Sequence, residues 1–336
     1  MYSILDVAQL AKVSKSTVSR VLSGNSYGVS DKTKVKVEQA AKELGYVKNS
    51  IASSLRTNKT KTILLIIPDI TNNFWAEVAR GAQDYLEKHG YSLILANSDG
   101  DNNKQLEYLK MAQRNRVDGI LINTNDTLLD EIQSTGLPFV LIGNANSTSR
   151  FPRVSSDSYE GIKKALEYLY ENGHRDIAMV APSKENLNPA KVSNRVKAYT
   201  DFLTSHSLNF KEEYFFSCHP NLKDGEELAI SISEMKKQPT AIITANDLFA
   251  AGFVNEAMRR GIQIPGDISV IGVDDIPLAS MINPKLTTLE KPKHLLGKVA
   301  AQTIISVIKG IEVKQNNKLP VNLIIRESSK EIKVKS

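Results

Sequence analysis

Four polar residues, Lys15, Ser16, Ser19 and Arg20, recur within one short stretch of the chain at a spacing that gathers them on one side of a helix. At about 100° per residue, Thr17, Val18, Val21 and Leu22 fall on the other side. A guanidinium such as Arg20 can pair bidentately with guanine, and Lys15 and Ser16 can reach bases or phosphates beside it. The chemistry on offer is recognition of a nucleic acid. Spacings that would carry catalysis are absent: the sequence has no Walker loop, no G-x-G-x-x-G, no H-E-x-x-H and no nucleophile elbow. His219 beside Cys218 invites a nucleophile and base, but neighbours on a strand point to opposite faces. An enzyme is therefore the disfavoured reading, with no catalytic residue, metal ligand or cofactor expected.

Charge points the same way. Residues 1–61 hold eleven basic and four acidic side chains, a net +7, while the rest of the 336 residues hold 32 and 33, a net −1. The excess positive charge sits with the polar helix face, as expected of a segment that meets a polyanion. Cys218 is the single cysteine, which excludes a disulfide framework and a cysteine zinc cluster. The start, MYSILDVAQLAKVS, has no basic stretch leading into an apolar run, and no apolar segment approaches the roughly eighteen residues of a membrane span. The expected location is the cytoplasm, with no membrane partner.

The elements that must position this face can be read from caps and periodicity. Ser3 with Asp6 three residues on opens a first short helix whose Ile4, Leu5, Val7, Ala8 and Ala11 form a buried stripe. A turn at Lys12 and Val13 follows, and Ser14 caps a second helix over Lys15 to Leu22. Ser30 caps a third, with Val37, Ala40, Ala41 and Leu44 at i, i+3, i+4 and i+7 and Gly45 at its end. Three short helices with a tight turn between the first two form a helix-turn-helix, whose second helix enters the major groove.

The stretch LDVAQLAKVSKSTVSRVLSG closely resembles the DNA-binding headpiece of the LacI/GalR repressor family, and VSDKTKVKVEQAAKELGYVKNSIASSLRTNKT resembles its third helix and hinge. The resemblance implies a hinge that becomes helical on operator and wedges a leucine, here Leu55, into the minor groove at the dyad. Ile51, Ala52 and Leu55 give a one-turn apolar face too small to fold alone. Lys48 stands where proline often precedes the hinge, which implies a looser connection. The candidate DNA contacts are Lys15, Ser16, Thr17, Ser19, Arg20, Asn25, Lys34 and Leu55.

Beyond Thr62, eight β-rich runs (TILLIIP, YSLILAN, VDGILIN, PFVLIG, DIAMVAP, YFFSC, TAIITA and ISVIGVDD) alternate with helical patterns. KHGY, ENGH and RRGI each end a helix with glycine. Such alternation predicts parallel sheets covered by helices, and so many runs predict two doubly wound subdomains with a ligand crevice at the carboxyl ends of the strands. The expected organisation is an all-α headpiece over residues 1–46, a hinge over 47–61 and an α/β core over 62–336, with one subdomain at about 62–160 and 292–325 and the other at about 161–291.

This core also resembles the LacI/GalR family, whose core looks like a periplasmic sugar-binding protein with three crossings between lobes. PDITNNFWAEVARG resembles a segment that puts Asp69, Phe74 and Trp75 at the cleft, where an aromatic face can stack on a sugar ring. Arg195 in NRVKAY, Asn246 and Asp247 in TANDLFAAG, and Asp274 in VIGVDD match effector-contacting positions, suited to hydroxyl pairs or a carboxylate. Asp247 has an alternative role as a helix cap. Gly143 and Pro220 depart from the aspartate and aromatic ring found there in other members. Lys191, Lys291 and Lys293 match pocket or pocket-edge positions, which leads to the expectation of a basic cleft and an anionic effector, a sugar acid or sugar phosphate.

The resemblance implies a repressor of carbohydrate-utilisation genes that binds a palindromic operator as a homodimer and answers to a small sugar-type effector. The tail ESSKEIKVKS lacks the apolar heptads of a tetramerising bundle, so a dimer is expected. The rival is a ligand-binding protein of the transport type, which the basic headpiece disfavours.

Overall fold

The computed structural model describes residues 2–22, 27–46, 59–124, 126–143, 150–182 and 193–332. The chain divides into two compact units, Met1–Thr60 and Lys61–Ser336.

Among the described residues the first unit has three helices: α1 (Ile4–Ala11), α2 (Lys15–Leu22) and α3 (Asp31–Glu43). The capping box forms: the Asp6 and Leu5 N–H groups donate to Ser3 Oγ, and the Ser3 N–H donates to the Asp6 carboxylate at 2.6 Å. These bonds from Ser3 hold the Asp6 carboxyl below the usual carboxylate range. Ser14 Oγ accepts from the Thr17 N–H, starting α2, and Ser30 Oγ accepts from Thr33, starting α3. The core is small. Val7, Ala8 and Ala11 from α1 meet Val18 and Val21 from α2 and Val37, Ala40 and Ala41 from α3.

In the second unit, one sheet has the order β11-β5-β4-β3-β1-β2, from β1 (Thr62–Ile67), β2 (Ser92–Asn97), β3 (Gly119–Ile122), β4 (Phe139–Ile142), β5 (Arg153–Ser156) and β11 (Asn316–Leu319), all parallel. The other has the order β12-β10-β9-β8-β6-β7, from β6 (Ile177–Pro182), β7 (Phe215–Cys218), β8 (Ala241–Ile243), β9 (Ser269–Asp274), β10 (Thr287–Glu290) and β12 (Asn322–Ile324), with only the β10/β12 pair antiparallel. Helices α4 (Asn73–Lys88), α5 (Asn102–Arg114) and α6 (Leu129–Ser134) connect strands of the first sheet. Helices α7 (Ser158–Glu171), α8 (Asn194–Ser205), α9 (Leu222–Ser233), α10 (Asp247–Arg259) and α11 (Leu278–Met281) belong with the second.

The chain crosses between lobes after β5, after β10 and after β11. Helix α12 (Lys293–Ile308) returns to the first lobe, where Leu296, Ala300 and Ile304 join the core of Ile63, Leu65, Val78 and Ala82. It lies so close to α4 that a Cβ on Gly297 would stand 1.9 Å from the Val78 carbonyl oxygen, an approach only glycine permits. The third crossing corrects the expected boundary at residue 325: β12 pairs in the second sheet, so the first lobe ends with β11.

Candidate functional site

The headpiece presents α2 as a two-sided element. Val18 and Val21 are buried, Lys15, Ser16 and Arg20 are exposed, and Thr17 and Ser19 are half-buried. Thr17 is turned back on the cap, its hydroxyl 2.9 Å from that of Ser14. Lys34 lies half-buried on α3. Asn25 and Leu55 fall outside the described residues, as does Lys48.

In the core, a cavity of about 370 Å³ opens at the carboxyl ends of both sheets. Nearly every lining residue follows a strand: Asn72, Phe74 and Trp75 follow β1, Asn123 follows β3, Gly143 follows β4, and Ser156 and Ser158 end and follow β5. From the other lobe come Ser193 and Arg195 at the start of α8, Pro220 after β7, Ala245 and Asn246 after β8, Asp274 at the end of β9 and Lys291 after β10, with Leu296 from α12. The sites expected at Phe74, Trp75, Arg195, Asn246, Asp274 and Lys291 are thus brought together. Phe74 and Trp75 serve both core and cavity: they meet edge to face at 5.0 Å and belong to the apolar cluster under the first sheet.

Most of the polar lining is already tied to the chain. Asn72 Oδ1 accepts from the Phe74 N–H at 2.9 Å, capping α4. Asn246 Oδ1 accepts from the Phe249 N–H at 2.8 Å, capping α10, and its Nδ2 donates to the Pro220 carbonyl at 2.9 Å. Arg195 donates to the Ala245 carbonyl at 2.6 Å. Asn123 Nδ2 donates to the Ile142 carbonyl at 2.8 Å, and a Cβ on Gly143 (φ 93°) would come within 2.7 Å of that nitrogen. The amide of Asn123 thus occupies the space that a side chain at position 143 would take.

Three expected contacts are placed elsewhere. Asp69 is not among the lining residues; its carboxylate accepts from the Thr71 N–H at 2.8 Å and hydroxyl at 2.7 Å, closing the loop before α4. Asp247 is 1% exposed, accepting from the Ile276 N–H at 2.8 Å and the Thr288 hydroxyl at 2.5 Å. Burial first, then the Asp274 charge, pushes its carboxyl up to about 8. Lys293 is buried and donates to the carbonyls of Asp274 and Asp275 at 2.9 and 2.8 Å.

The basic cleft is corrected accordingly. Lys293 is engaged with backbone outside the cavity lining, Lys291 meets the Asp274 carboxylate at 2.8 Å, and Lys191 falls outside the described residues. Burial pulls the Lys291 ammonium below the usual lysine range, with Asp274 opposing. Sequence reading missed Asn72, Asn123, Ser156, Ser158 and Ser193. Their signal was position, directly after a strand end or at a helix start.

This architecture defines a periplasmic-binding-protein-like core joined to a helix-turn-helix headpiece. Residues 60–327 match the family described as periplasmic binding proteins and sugar binding domain of LacI family, and residues 3–49 match bacterial regulatory proteins, lacI family. The chain is 34% identical over 332 residues to catabolite control protein A of Priestia megaterium, covering 98% of this chain and 99% of the relative. It is 34% identical over 338 residues to the HTH-type transcriptional repressor PurR of Vibrio parahaemolyticus, covering 99% and 100%. Among solved structures, the lac repressor dimer bound to operator and the anti-inducer ONPF is similar with a TM-score of 0.88 at 25% identity, over 98% of this chain and 99% of that one. The chain belongs to the LacI family of bacterial transcriptional regulators. It is a DNA-binding transcriptional repressor of that class and not an enzyme. Among the described residues no helix is long and apolar enough to cross a membrane.

Proposed function

We propose that this repressor acts in the cytoplasm as a homodimer on a palindromic operator, and that a carbohydrate-type effector held in the inter-lobe cavity controls carbohydrate-utilisation genes through it. The observation that carries the effector reading is the lining. Aromatic Phe74 and Trp75 stand in one wall with Asn, Ser, Asp and Lys groups in the others, the combination that packs a sugar ring and answers its hydroxyls. On the headpiece, Lys15, Ser16 and Arg20 are proposed to read bases and adjacent phosphates, with Ser19, Thr17 and Asn25 beside them, Lys34 on a phosphate and Leu55 in the minor groove.

Two features support the dimer. A single headpiece reads too few base pairs for useful specificity, so two related by a twofold axis are needed. The core also exposes large apolar side chains in both lobes: Ile94 and Leu95 on β2, the edge strand of its sheet, with Ile70 nearby in the first lobe, and Leu222 and Met281 in the second. Effector binding would favour one relative orientation of the lobes and so make operator binding easier or harder.

The test combines fluorescence anisotropy on operator duplexes with thermal shift on sugars. Removal of residues 1–61 is expected to abolish DNA binding and preserve the sugar-induced shift; retained DNA binding, or no shift with any sugar or sugar derivative, would count against the reading.

A further inference from the structure

The turn that ends β9 is fixed from several directions at once. Asp274 and Asp275 both have positive φ, 115° and 54°, a conformation that costs a non-glycine residue about 1–3 kcal/mol. Lys293 holds both carbonyls, Asp247 accepts the Ile276 N–H, and Arg326 meets the Asp275 carboxylate at 2.7 Å. The result is to aim the Asp274 carboxylate into the cavity, against Lys291. The two side chains are 7% and 11% exposed, and the Lys291 ammonium also lies 5.1 Å from the centre of the Phe74 ring. Asp274 Oδ1 is fully buried and faces the Lys291 ammonium at 2.8 Å, so the pair closes on itself at the cavity wall.

We propose that Asp274 and Lys291 form one net-neutral reading head, and that Lys291 thereby determines the charge class of the effector: an uncharged polyol, preferred over the acid or amine of the same skeleton. This rests on the carbohydrate reading of the cavity and narrows it. Adjacent hydroxyls can donate to the aspartate and accept from the lysine without separating them. An acid reaching for Lys291 would have to draw it from Asp274 and leave a buried carboxylate unpaired, and an amine reaching for Asp274 would strand the ammonium; each costs more than the new pair returns. The anionic effector expected from three lysines is replaced by this assignment, because two of them are engaged with the Asp274–Asp275 turn.

The experiment measures affinities of the full-length protein for matched sets, glucose with gluconate and glucosamine, and galactose with galactonate and galactosamine, by thermal shift followed by calorimetry. The wild type is expected to bind the neutral member at least about tenfold more tightly than its charged partners, since facing like charges costs several kcal/mol. Asp274→Asn should move preference toward the acid and Lys291→Met toward the amine, each by about tenfold, while Lys291→Arg keeps the neutral preference. A wild type that prefers the acid or amine overturns the proposal, whether or not the variants fold. So do variants that weaken all three members by one common factor, which is what a purely structural pair would give. Failure of every member of both sets, joined by every other sugar in the panel, would instead remove the carbohydrate reading on which the proposal stands.

Discussion

The two candidate ligand-facing regions are built in opposite ways. On α2 of the headpiece, Lys15, Ser16 and Arg20 stand exposed above a core of eight small or medium side chains. In the cavity, Arg195, Asn246, Asp274 and Lys291 are each held by another part of the core. An exposed face can therefore change its specificity with little change in stability. A cavity whose lining groups also fasten turns and caps would tie binding to stability, and substitutions there should alter both.

The largest effect that would sharpen this contrast is expected at Lys293. Replacing it with Met leaves one buried and one part-buried carbonyl without their charged donor and should cost the core unit about 3 kcal/mol in urea unfolding, with no change in headpiece unfolding; an unaltered core midpoint would break the contrast. Asp247 should reveal itself through pH. Its folded carboxyl holds a proton up to about 8, whereas the unfolded chain releases it near 3.8. Core stability contributed by this group is therefore fully present below 3.8 and erodes as pH rises toward about 8. Asp247→Asn should flatten that slope in thermal melts recorded across the range.

On the headpiece, Arg20→Ala should cost about 1–3 kcal/mol on the preferred operator and relax base preference there, leaving the core melting point unmoved. Lys34→Ala, if the lysine meets phosphate, should weaken all duplexes alike and reduce the salt slope by about one. Equal effects from these two variants in anisotropy titrations would undo the division of roles. The smallest effect is expected at the α1 cap, where Ser3→Ala should cost about 1 kcal/mol of headpiece stability. Because the Asp6 carboxyl is held low, its contribution is present above 3.8 and lost only as pH falls below that, a transition visible by circular dichroism and absent in Asp6→Asn.

The same contrast explains what could be read from residues alone. The headpiece is legible because each helix carries its own cap and apolar period: Ser3 with Asp6, Ser14 with Thr17, and Ser30 with Val37 and Ala40 are local signals that the fold preserves. In the core, the eight apolar runs became strands, but β5 (RVSS), β10 (TTLE), β11 (NNKL) and β12 (NLI) were passed over. All four are short and the first three are mostly polar, and their place comes from neighbours already aligned, with Arg153, Ser155 and Thr288 buried by pairing instead of by hydrophobicity.

Site residues divided along the same line. Arg195, Asn246 and Asp274 were named from family resemblance, while Asn123 and Ser193 needed the topology that turns strand ends toward one cavity. Asp247 and Lys293 carried the right residue types at neighbouring positions, yet hydrogen bonds to Ile276, Thr288 and the Asp274–Asp275 carbonyls keep them out of the cavity lining. Residue type cannot distinguish a group that contacts a ligand from one that fixes the turn beside it.

The most direct test of the account is operator affinity measured with and without a saturating cavity ligand. Duplexes are selected on immobilised full-length protein, the ligand is chosen by thermal shift, and anisotropy is read at fixed salt. The account predicts that the selected duplexes share a palindrome and that the ligand changes their affinity by roughly 5- to 150-fold, in either direction, as a coupling of about 1–3 kcal/mol requires. An operator affinity that stays the same with the cavity demonstrably filled would contradict it.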